Sequence, residues 1–325
     1  MEIKKLGVFT SGGDSPGMNA AIRAVVRTAA YNHIEVVGIY RGYEGLIDGD
    51  FTELKASSVA NIIHRGGTIL RTARSKRFVS AEGMAQAYQN ILNSGIDGIV
   101  ACGGDGTFKG ALEFGTKYNV PIVGIPGTID NDLNGTDYTI GYDTAINTVI
   151  NAVDKIRDTA TSHNRVFFVE VMGRDAGLIA LRSGIGAGAE GILIPETDSD
   201  INALINKLGN ESKRKKAGHI IMVAEGDETG GAQAVAKQVM EKLPHLDTRI
   251  TILGHIQRGG SPSCMDRVLA SQMGMFAVES LVKGIKGVMV GIVNKQVEYT
   301  PFEKAVKHLE KPHAHLLHMM EVLSS

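Results

Sequence analysis

The sequence predicts an α/β fold of three layers, with mostly parallel sheets covered by helices on both faces and divided between two domains. Three observations lead there. Short apolar runs alternate with helix-period segments of roughly ten to twenty residues, as in strands buried on both faces and joined by crossover helices. Forty glycines against eight prolines gather at the ends of those runs instead of forming a linker, so the chain turns there and passes close to something. The 325 residues make two domains of ordinary size, at roughly 150 residues each.

The first strand is KLGVFT at 5–10, and the helix after it starts near Pro16. Ala21, Ile22, Val25, Val26 and Ala29 fall on one helical face, while Arg23 and Arg27 lie one turn apart on another. Further strands are expected at 35–40 (EVVGIY), 98–103 (GIVACG) and 120–125 (VPIVGI), each a run too short for a helix. A domain change falls near 138–142, and strands follow at 166–171 (VFFVEV), 192–195 (ILIP), 219–225 (HIIMVAE) and 251–256 (TILGHI). The segment GHIQRGGSP at 254–262 again has the composition of a site-building loop, so the chain is expected to recross. The expected division is 1–141 with about 257–303 as the larger domain, and 142–256 with about 304–325 as the smaller.

Lys and Arg number 34 against 35 acids, so net charge gives no reason to expect a nucleic-acid or membrane-surface partner. Glycines interrupt the N-terminal apolar stretch before it reaches the length of a secretory signal, and no 18 apolar residues run together, so a cytoplasmic protein is expected. Cys102 and Cys264 lie far apart and form no C-x-x-C pair, which supports neither a disulfide framework nor a zinc site.

Gly-Gly-Asp occurs twice, at 12–14 and 103–105, each time just after a strand, where open α/β sheets bind ligands. Such turns present backbone N–H groups and the positive helix end to anions, so two of them suit a ligand with several phosphates. GGDSPGMN at 12–19 begins like a phosphate loop, but Met18 and Asn19 stand where the lysine and hydroxyl residue belong, which argues against a P-loop NTPase. GAGAEG at 186–191 matches G-x-G-x-x-G but precedes a strand where a dinucleotide fold needs it to follow one. Asp105 puts an acid into an amide-donating loop. Either it caps the helix that begins near Thr107, or it holds Mg²⁺ through water beside the phosphates.

PGTIDNDLNGTD at 126–137 packs Asp130, Asp132 and Asp137 into eight residues directly after an apolar strand. In an extended segment Asp130 and Asp132 point the same way, and like charges so placed need something positive beside them. Phosphoryl transfer to an alcohol meets that need: one carboxylate takes the hydroxyl proton while Mg²⁺ and arginine neutralise the moving group. Asx-turn chemistry is the alternative, and it accounts for Asn134, Gly135 and Asp137 better than for 128–132. Arg74, Arg165, Arg174, Arg249 and Arg258, next to glycines or strand ends, are the candidate phosphate-binding cations.

Together these motifs closely resemble the bacterial ATP-dependent 6-phosphofructokinase family. The matching stretches are TSGGDSPGMNAAIR (10–23), HRGGT (64–68), GGDG (103–106), PGTIDND (126–132), KIRDTATSH (155–163), VMGR (171–174), VAEG (223–226), LGHIQRGGSP (253–262) and DRVLAS (266–271), in the family's order. The resemblance implies two Rossmann-like domains with an active site in the cleft between them, the larger domain binding ATP and the smaller fructose 6-phosphate. It implies the committed step of glycolysis, phosphorylation of fructose 6-phosphate at its 1-hydroxyl, by a phosphotransferase with an alcohol group as acceptor. Asp130 would be the general base with Thr128 and Asp132 beside it, and Arg174 would bind the sugar and the transferred group. Gly13, Arg74, Ser75, Gly104, Asp105, Gly106 and Thr107 would hold ATP, and Asp105 the Mg²⁺. Thr128, Ile129, Asp130, Met172, Gly173, Arg174, Glu225, His255, Ile256, Gln257 and Arg258 would bind the sugar phosphate. Arg165 and Arg249 would reach its 6-phosphate from a neighbouring subunit of a homotetramer.

The family also carries an effector site between subunits, activated by ADP and inhibited by phosphoenolpyruvate, and Arg23, Arg27, Arg157, Gly188, Glu190, Lys215 and His219 match it. Ala217 and Gly218 replace two lysines usual before that histidine, and KRKK at 213–216 either compensates or complements a helix C-terminus. Ala56 and Ser57 replace an arginine and a tyrosine of some relatives, Thr107 a frequent serine, and ARSKRF at 73–78 lacks the usual proline after its arginine. Relatives that use pyrophosphate carry an acid after Gly-Gly-Asp and a lysine before Thr-Ile-Asp, where this chain has Gly106 and Gly127, so ATP is the expected donor. The rivals are a pyrophosphate-dependent or tagatose 6-phosphate kinase and, in another class, a sugar-phosphate-binding regulator without chemistry, which intact Asp105 and Asp130 oppose. His308, His313, His315 and His318 either bind metal or form a surface tail.

Overall fold

The computed structural model describes residues 3–197, 201–213, 218–228, 230–306 and 314–323. In chain order the first elements are β1 (Lys5–Thr10), α1 (Met18–Tyr31), β2 (Glu35–Ile39), α2 (Tyr43–Asp48), β3 (Phe51–Glu53), α3 (Ala81–Ser94), β4 (Gly98–Gly103), α4 (Asp105–Tyr118) and β5 (Ile122–Pro126). There follow α5 (Tyr142–His163), β6 (Val166–Val171), α6 (Leu178–Gly186), β7 (Gly191–Leu193), α7 (Ile201–Lys213), β8 (His219–Ala224), α8 (Gly231–Lys242) and β9 (Thr248–Ile252). The last are α9 (Cys264–Val282), β10 (Val288–Val293), β11 (Gln296–Pro301) and α10 (Ala314–Leu323). They fall into two compact units, one of Met1–Ile129, Leu133–Thr144 and Arg258–His308, the other of Asp130–Asp132, Ala145–Gln257 and Leu309–Ser325.

The first unit is built on a seven-stranded sheet in the order β11-β10-β5-β4-β1-β2-β3. Its five inner strands run parallel, and the edge strands β3 and β11 are antiparallel to their neighbours. Alternate residues feed opposite faces, as a pleated strand requires. Val8, Cys102, Val123 and Ile125 join Ile22 and Val25 of α1 and Met273 and Ala277 of α9, whereas Phe9, Ala101 and Ile122 join Phe108 and Phe114 of α4. Fully burying one such side chain stabilises by roughly 1.5–3 kcal/mol, which explains why the inner strands are continuous apolar runs. On α1 the expected face is buried, with Arg23 partly and Arg27 fully outside. α1 and α9 touch at Gly274, where an added Cβ would lie 2.7 Å from the Ala24 Cβ.

The second unit has a four-stranded, wholly parallel sheet in the order β7-β8-β6-β9. Val166 and Phe168 of β6, Ile221 and Val223 of β8, Leu208 of α7 and Val235 and Val239 of α8 share one core cluster. Three local expectations need correction. The strand expected at 251–256 is β9 at Thr248–Ile252; Gly254, at φ 54, leaves it for a 3-10 turn over Gly254–Arg258. The helix expected near Thr107 begins at Asp105 with Gly104 as its cap. β3, β10 and β11 carry no counterpart in the sequence reading, and the last two pair through a turn at Asn294 and Lys295, both at positive φ. Among the described residues no helix is long and apolar enough to cross a membrane.

Candidate active site

In the first unit the chain passes from β1 to β2 on one side and reaches β4 on the other, so both Gly-Gly-Asp turns leave the sheet where the strand order reverses. Thr10 is level with Cys102, and Gly103 with Pro126, which brings the loops after β1, β4 and β5 together. Backbone bonds knit them: Ser11 N–H donates to Cys102 O at 2.9 Å and Gly127 N–H to Gly103 O at 3.0 Å. A Cβ at Gly103 would lie 2.3 Å from Thr107 Oγ1 and 2.5 Å from Ser11 O, so only glycine lets α4 start this close to β1. Buried Thr107 donates to Ser11 O at 3.4 Å and accepts, through its carbonyl, the hydroxyl of Tyr43 at 2.6 Å.

Gly104, Asp105 and Gly106 therefore stand at the N-terminus of a 14-residue helix, the end whose N–H groups and positive dipole suit a phosphate. Gly106 is exposed, and a Cβ there would meet nothing within 4 Å. Asp105 is the first helical residue and not the cap, and its carboxylate pairs with Lys109 at 2.7 Å. Among the described residues no group of three His, Cys, Asp or Glu could enclose a metal. Mg²⁺ is typically bound by one or two carboxylates together with substrate phosphates and water, so one carboxylate at a helix N-terminus that suits phosphate is a fitting donor set. Arg74 is exposed, and Ser75 Oγ accepts the Phe78 N–H at 3.0 Å. Arg258, expected on the sugar, lies against the first glycine turn: a Cβ at Gly13 would be 2.3 Å from its Nη1.

The acidic loop departs from the extended form expected of it. Asn131 has φ 54, in the left-handed region, so Asp130 and Asp132 are not related by the two-residue repeat of a strand. Both are nevertheless buried, at 5% and 7% exposure, where a carboxylate needs a compensating charge or donors. Arg174 Nε lies 3.9 Å from Asp130 Oδ2. Thr128 is half-buried and Ile129 buried. Asp137 has a structural task, accepting the Asn294 N–H at 2.7 Å. Gly127 is demanded by packing, since a Cβ there would lie 2.8 Å from Cys102 Sγ and 3.1 Å from Met18 Cε. Burial pushes the Cys102 thiol up to about 12, so it stays a protonated core group.

In the second unit the turn after β6 carries Met172 and Gly173, both buried, and exposed Arg174 at φ 53. A non-glycine residue held there costs on the order of 1–3 kcal/mol, and such strain clusters at working sites. Four contacts hold the turn. Arg174 N–H donates to Glu225 Oε1 at 3.0 Å, Met172 N–H to Gln257 Oε1 at 3.2 Å, and Gly177 N–H to Glu196 Oε1 at 2.7 Å. Gly226 lies against the Arg174 carbonyl, which an added Cβ would approach to 1.6 Å. Gln257, expected to bind substrate, is fully buried and spends its amide on Met172 and on Gly254 O at 3.0 Å. His255 and Ile256, in the same 3-10 turn, are exposed. Arg165 and Arg249 share one carboxylate, Asp247, at 2.7 Å from Arg165 Nε and 3.3 Å from Arg249 Nη2. The Arg165 hydrogen bond foremost, with the charge of Arg249, holds Asp247 below the usual carboxylate range.

Of the effector candidates, four come together in the second unit. Arg157 Nη2 donates to Ala187 O at 2.6 Å and Gly188 O at 3.0 Å, and its Nη1 lies 3.6 Å from buried Glu190, which accepts the Ile220 N–H next to buried His219. Arg23 and Arg27 belong to α1 of the first unit. Lys215, His308 and His313 lie outside the described residues, and His315 and His318 are exposed on α10. Sequence reasoning missed Asp247, Glu196 and Asp266. Asp247 sits two residues before Arg249, and S263-CMD-266 has the spacing of a helix capping box, so both left a readable signal.

The chain matches the Phosphofructokinase family over residues 5–281. It is 54% identical over 322 residues to an ATP-dependent 6-phosphofructokinase of Cytophaga hutchinsonii, covering 99% of this chain and 98% of the relative. It is 54% identical over 322 residues to ATP-dependent 6-phosphofructokinase 1 of Thermus thermophilus, covering 99% and 100%. Among solved structures, Pichia pastoris phosphofructokinase in the T-state superposes with a TM-score of 0.91 at 36% identity over 99% of this chain, which spans 39% of the Pichia chain. A pyrophosphate-dependent phosphofructokinase of Marinobacter aquaeolei shares the fold, with a TM-score of 0.85 at 22% identity over 99% of this chain and 92% of the other. With its paired glycine turns, its buried acidic loop and these relatives, the chain belongs to the phosphofructokinase family.

Proposed function

We propose that the protein transfers the γ-phosphoryl group of ATP to the 1-hydroxyl of fructose 6-phosphate, giving fructose 1,6-bisphosphate and ADP. The observation that carries this reading is the buried Asp130 carboxylate facing Arg174 Nε at 3.9 Å, in a chain so close to relatives named for this reaction. Asp130 accepts the proton of the attacking hydroxyl, and Arg174 offsets negative charge on the group in transfer. Thr128 and Asp132 flank that base in the same loop. Gly104, Gly106 and Thr107 at the start of α4, with Gly13, Arg74 and Ser75, hold the donor. Asp105 would hold Mg²⁺, whose chemistry here is the neutralisation of charge on the donor phosphates.

Met172, Gly173, Glu225, His255 and Arg258 bind the sugar phosphate in this reading, with Gln257 supporting Met172 from within. Arg165 and Arg249, gathered on Asp247, take the 6-phosphate of a neighbouring subunit in a homotetramer. Arg157, Gly188, Glu190 and His219, with Arg23, Arg27 and Lys215, belong to a site between neighbouring subunits of that tetramer for phosphorylated effectors such as ADP or phosphoenolpyruvate. A cytoplasmic location belongs to the same reading. The test is the initial rate of fructose 1,6-bisphosphate formation with Mg²⁺ and either ATP or pyrophosphate as donor. Turnover with ATP alone is expected, and turnover with pyrophosphate alone would overturn the donor assignment.

A further inference from the structure

We infer that Asp266 is a positioning residue for the loop that carries the base: with Thr144 and Thr139 it clamps the segment 139–144, which in turn fixes the backbone of 126–128. The inference rests on Asp130 being the proton acceptor of the proposed reaction, but the clamp itself is read from hydrogen bonds.

Asp266 is the third residue of α9, and Ser263 caps that helix by accepting the Asp266 N–H on its Oγ at 3.1 Å. At this spacing an acid ordinarily reaches back to the N–H of the capping residue. Here it does not. The Ser263 N–H goes to Thr144 Oγ1 at 3.0 Å, and the Asp266 carboxylate turns away from its own helix toward 141–144. It accepts Gly141 N–H at 2.8 Å on Oδ1, and Thr144 N–H at 2.8 Å and Thr144 Oγ–H at 2.5 Å on Oδ2. The residue is 1% exposed, and burying a carboxylate is costly even with three donors, as its raised proton affinity records. Capping a helix does not call for that cost, because Ser263 caps it alone. What the carboxylate adds is a fixed place for 141–144.

The other end of that segment grips the acidic loop. Ile140 N–H donates to Pro126 O at 2.9 Å, Ile140 bridges Gly127 as a parallel strand would, and fully buried Thr139 donates its hydroxyl to Thr128 O at 2.6 Å. Gly141, at φ 104, makes the turn between the two grips. A displacement at Asp266 therefore reaches Thr128 through two short sets of bonds, and a misplacement of about 1 Å at a reacting group can cost on the order of 10²-fold in rate.

The test uses the full-length protein and the variants Thr139→Val, Thr144→Val, Thr144→Ser and Asp266→Asn. Thr139→Val and Thr144→Val keep side-chain volume, so they report even where Asp266→Asn folds poorly. Two readouts are taken, hydrogen exchange across 126–132 without substrate, and kcat and KM for both substrates well below the melting temperature. Thr139→Val and Thr144→Val are expected to speed exchange in 126–132 by about 10-fold or more with the β1 and β4 peptides unchanged, on the scale of one lost buried hydrogen bond for Thr139 and two for Thr144. The same two should lower kcat by about 10-fold or more with each KM within about 2-fold, and Thr144→Ser should restore both readouts. Unchanged exchange and unchanged kcat, with only a lower melting temperature, would overturn the inference. Absence of turnover by the unsubstituted protein would instead refute the proposed reaction, and the exchange data would still decide the clamp.

Discussion

Replacing Gly106 by aspartate separates a position kept empty for a ligand from one kept empty for packing. Position 106 is the second residue of α4, it is exposed, and a Cβ there meets nothing within 4 Å. Aspartate ranks only slightly above glycine in helix propensity, and an acid in the first turn gains roughly 0.3–1 kcal/mol. The melting temperature of Gly106→Asp should hold or rise by about 2–4 °C per kcal/mol gained. Donor use should move the other way. A carboxylate about 5 Å from a donor phosphate, at an effective dielectric of about 20, is repelled by about 3 kcal/mol, or about 10²-fold in kcat/KM for ATP. A coupled assay with ATP varied at saturating fructose 6-phosphate, beside a melting scan, reads both. Turnover on ATP within about 3-fold of the parent at unchanged melting temperature would refute the assignment of this space to the donor. No pyrophosphate activity is expected in compensation. A lysine at position 127, which the family resemblance associates with pyrophosphate use, would have to displace Cys102 Sγ and Met18 Cε, 2.8 and 3.1 Å from a Cβ there.

Asp130→Asn should lower kcat by at least ~10²-fold with little change in the KM for the sugar phosphate, on the scale of a lost general base, and near-normal turnover would remove Asp130 from that role. Glu196 tests the turn that carries Arg174. Burial raises its carboxyl above the ordinary 4.5, so the folded chain binds that proton more tightly than the unfolded chain; the stability it contributes is full below 4.5 and is lost as pH rises through the folded value. The melting temperature of the parent should therefore fall relative to Glu196→Gln as pH rises from acid, and parallel melting curves would contradict the shift. Sedimentation should show a tetramer, because Arg165 and Arg249 are proposed to act on a neighbour's substrate; a fully active monomer would rule that out.

Much of the site was legible because local patterns report burial and phosphate chemistry directly. The apolar runs that end in Gly-Gly-Asp are β1 and β4, and the buried face read for the first helix is the buried face of α1. Arg174 and Glu225 could be singled out beside strand ends or by resemblance, but their pairing, Arg174 N–H to Glu225 Oε1 across 51 residues, could not. The β10–β11 hairpin went unread because its residues alternate only partly between buried and exposed, and its turn is set by two residues at positive φ.

What the sequence alone determined is the class of fold, the placing of both Gly-Gly-Asp turns at the carboxyl ends of strands, and the family, because these follow from periodicity and from short contiguous motifs. The tertiary structure alone decided how the acidic loop is shaped and held. Asn131 turns into the left-handed region, Gln257 faces inward, Arg258 rests on Gly13, and Asp266 reaches Gly141 across 125 residues of chain. The physical reason is that a buried polar group must find its partner wherever the order of the strands and the packing of the helices happen to bring one, and no local pattern in a sequence records that distance.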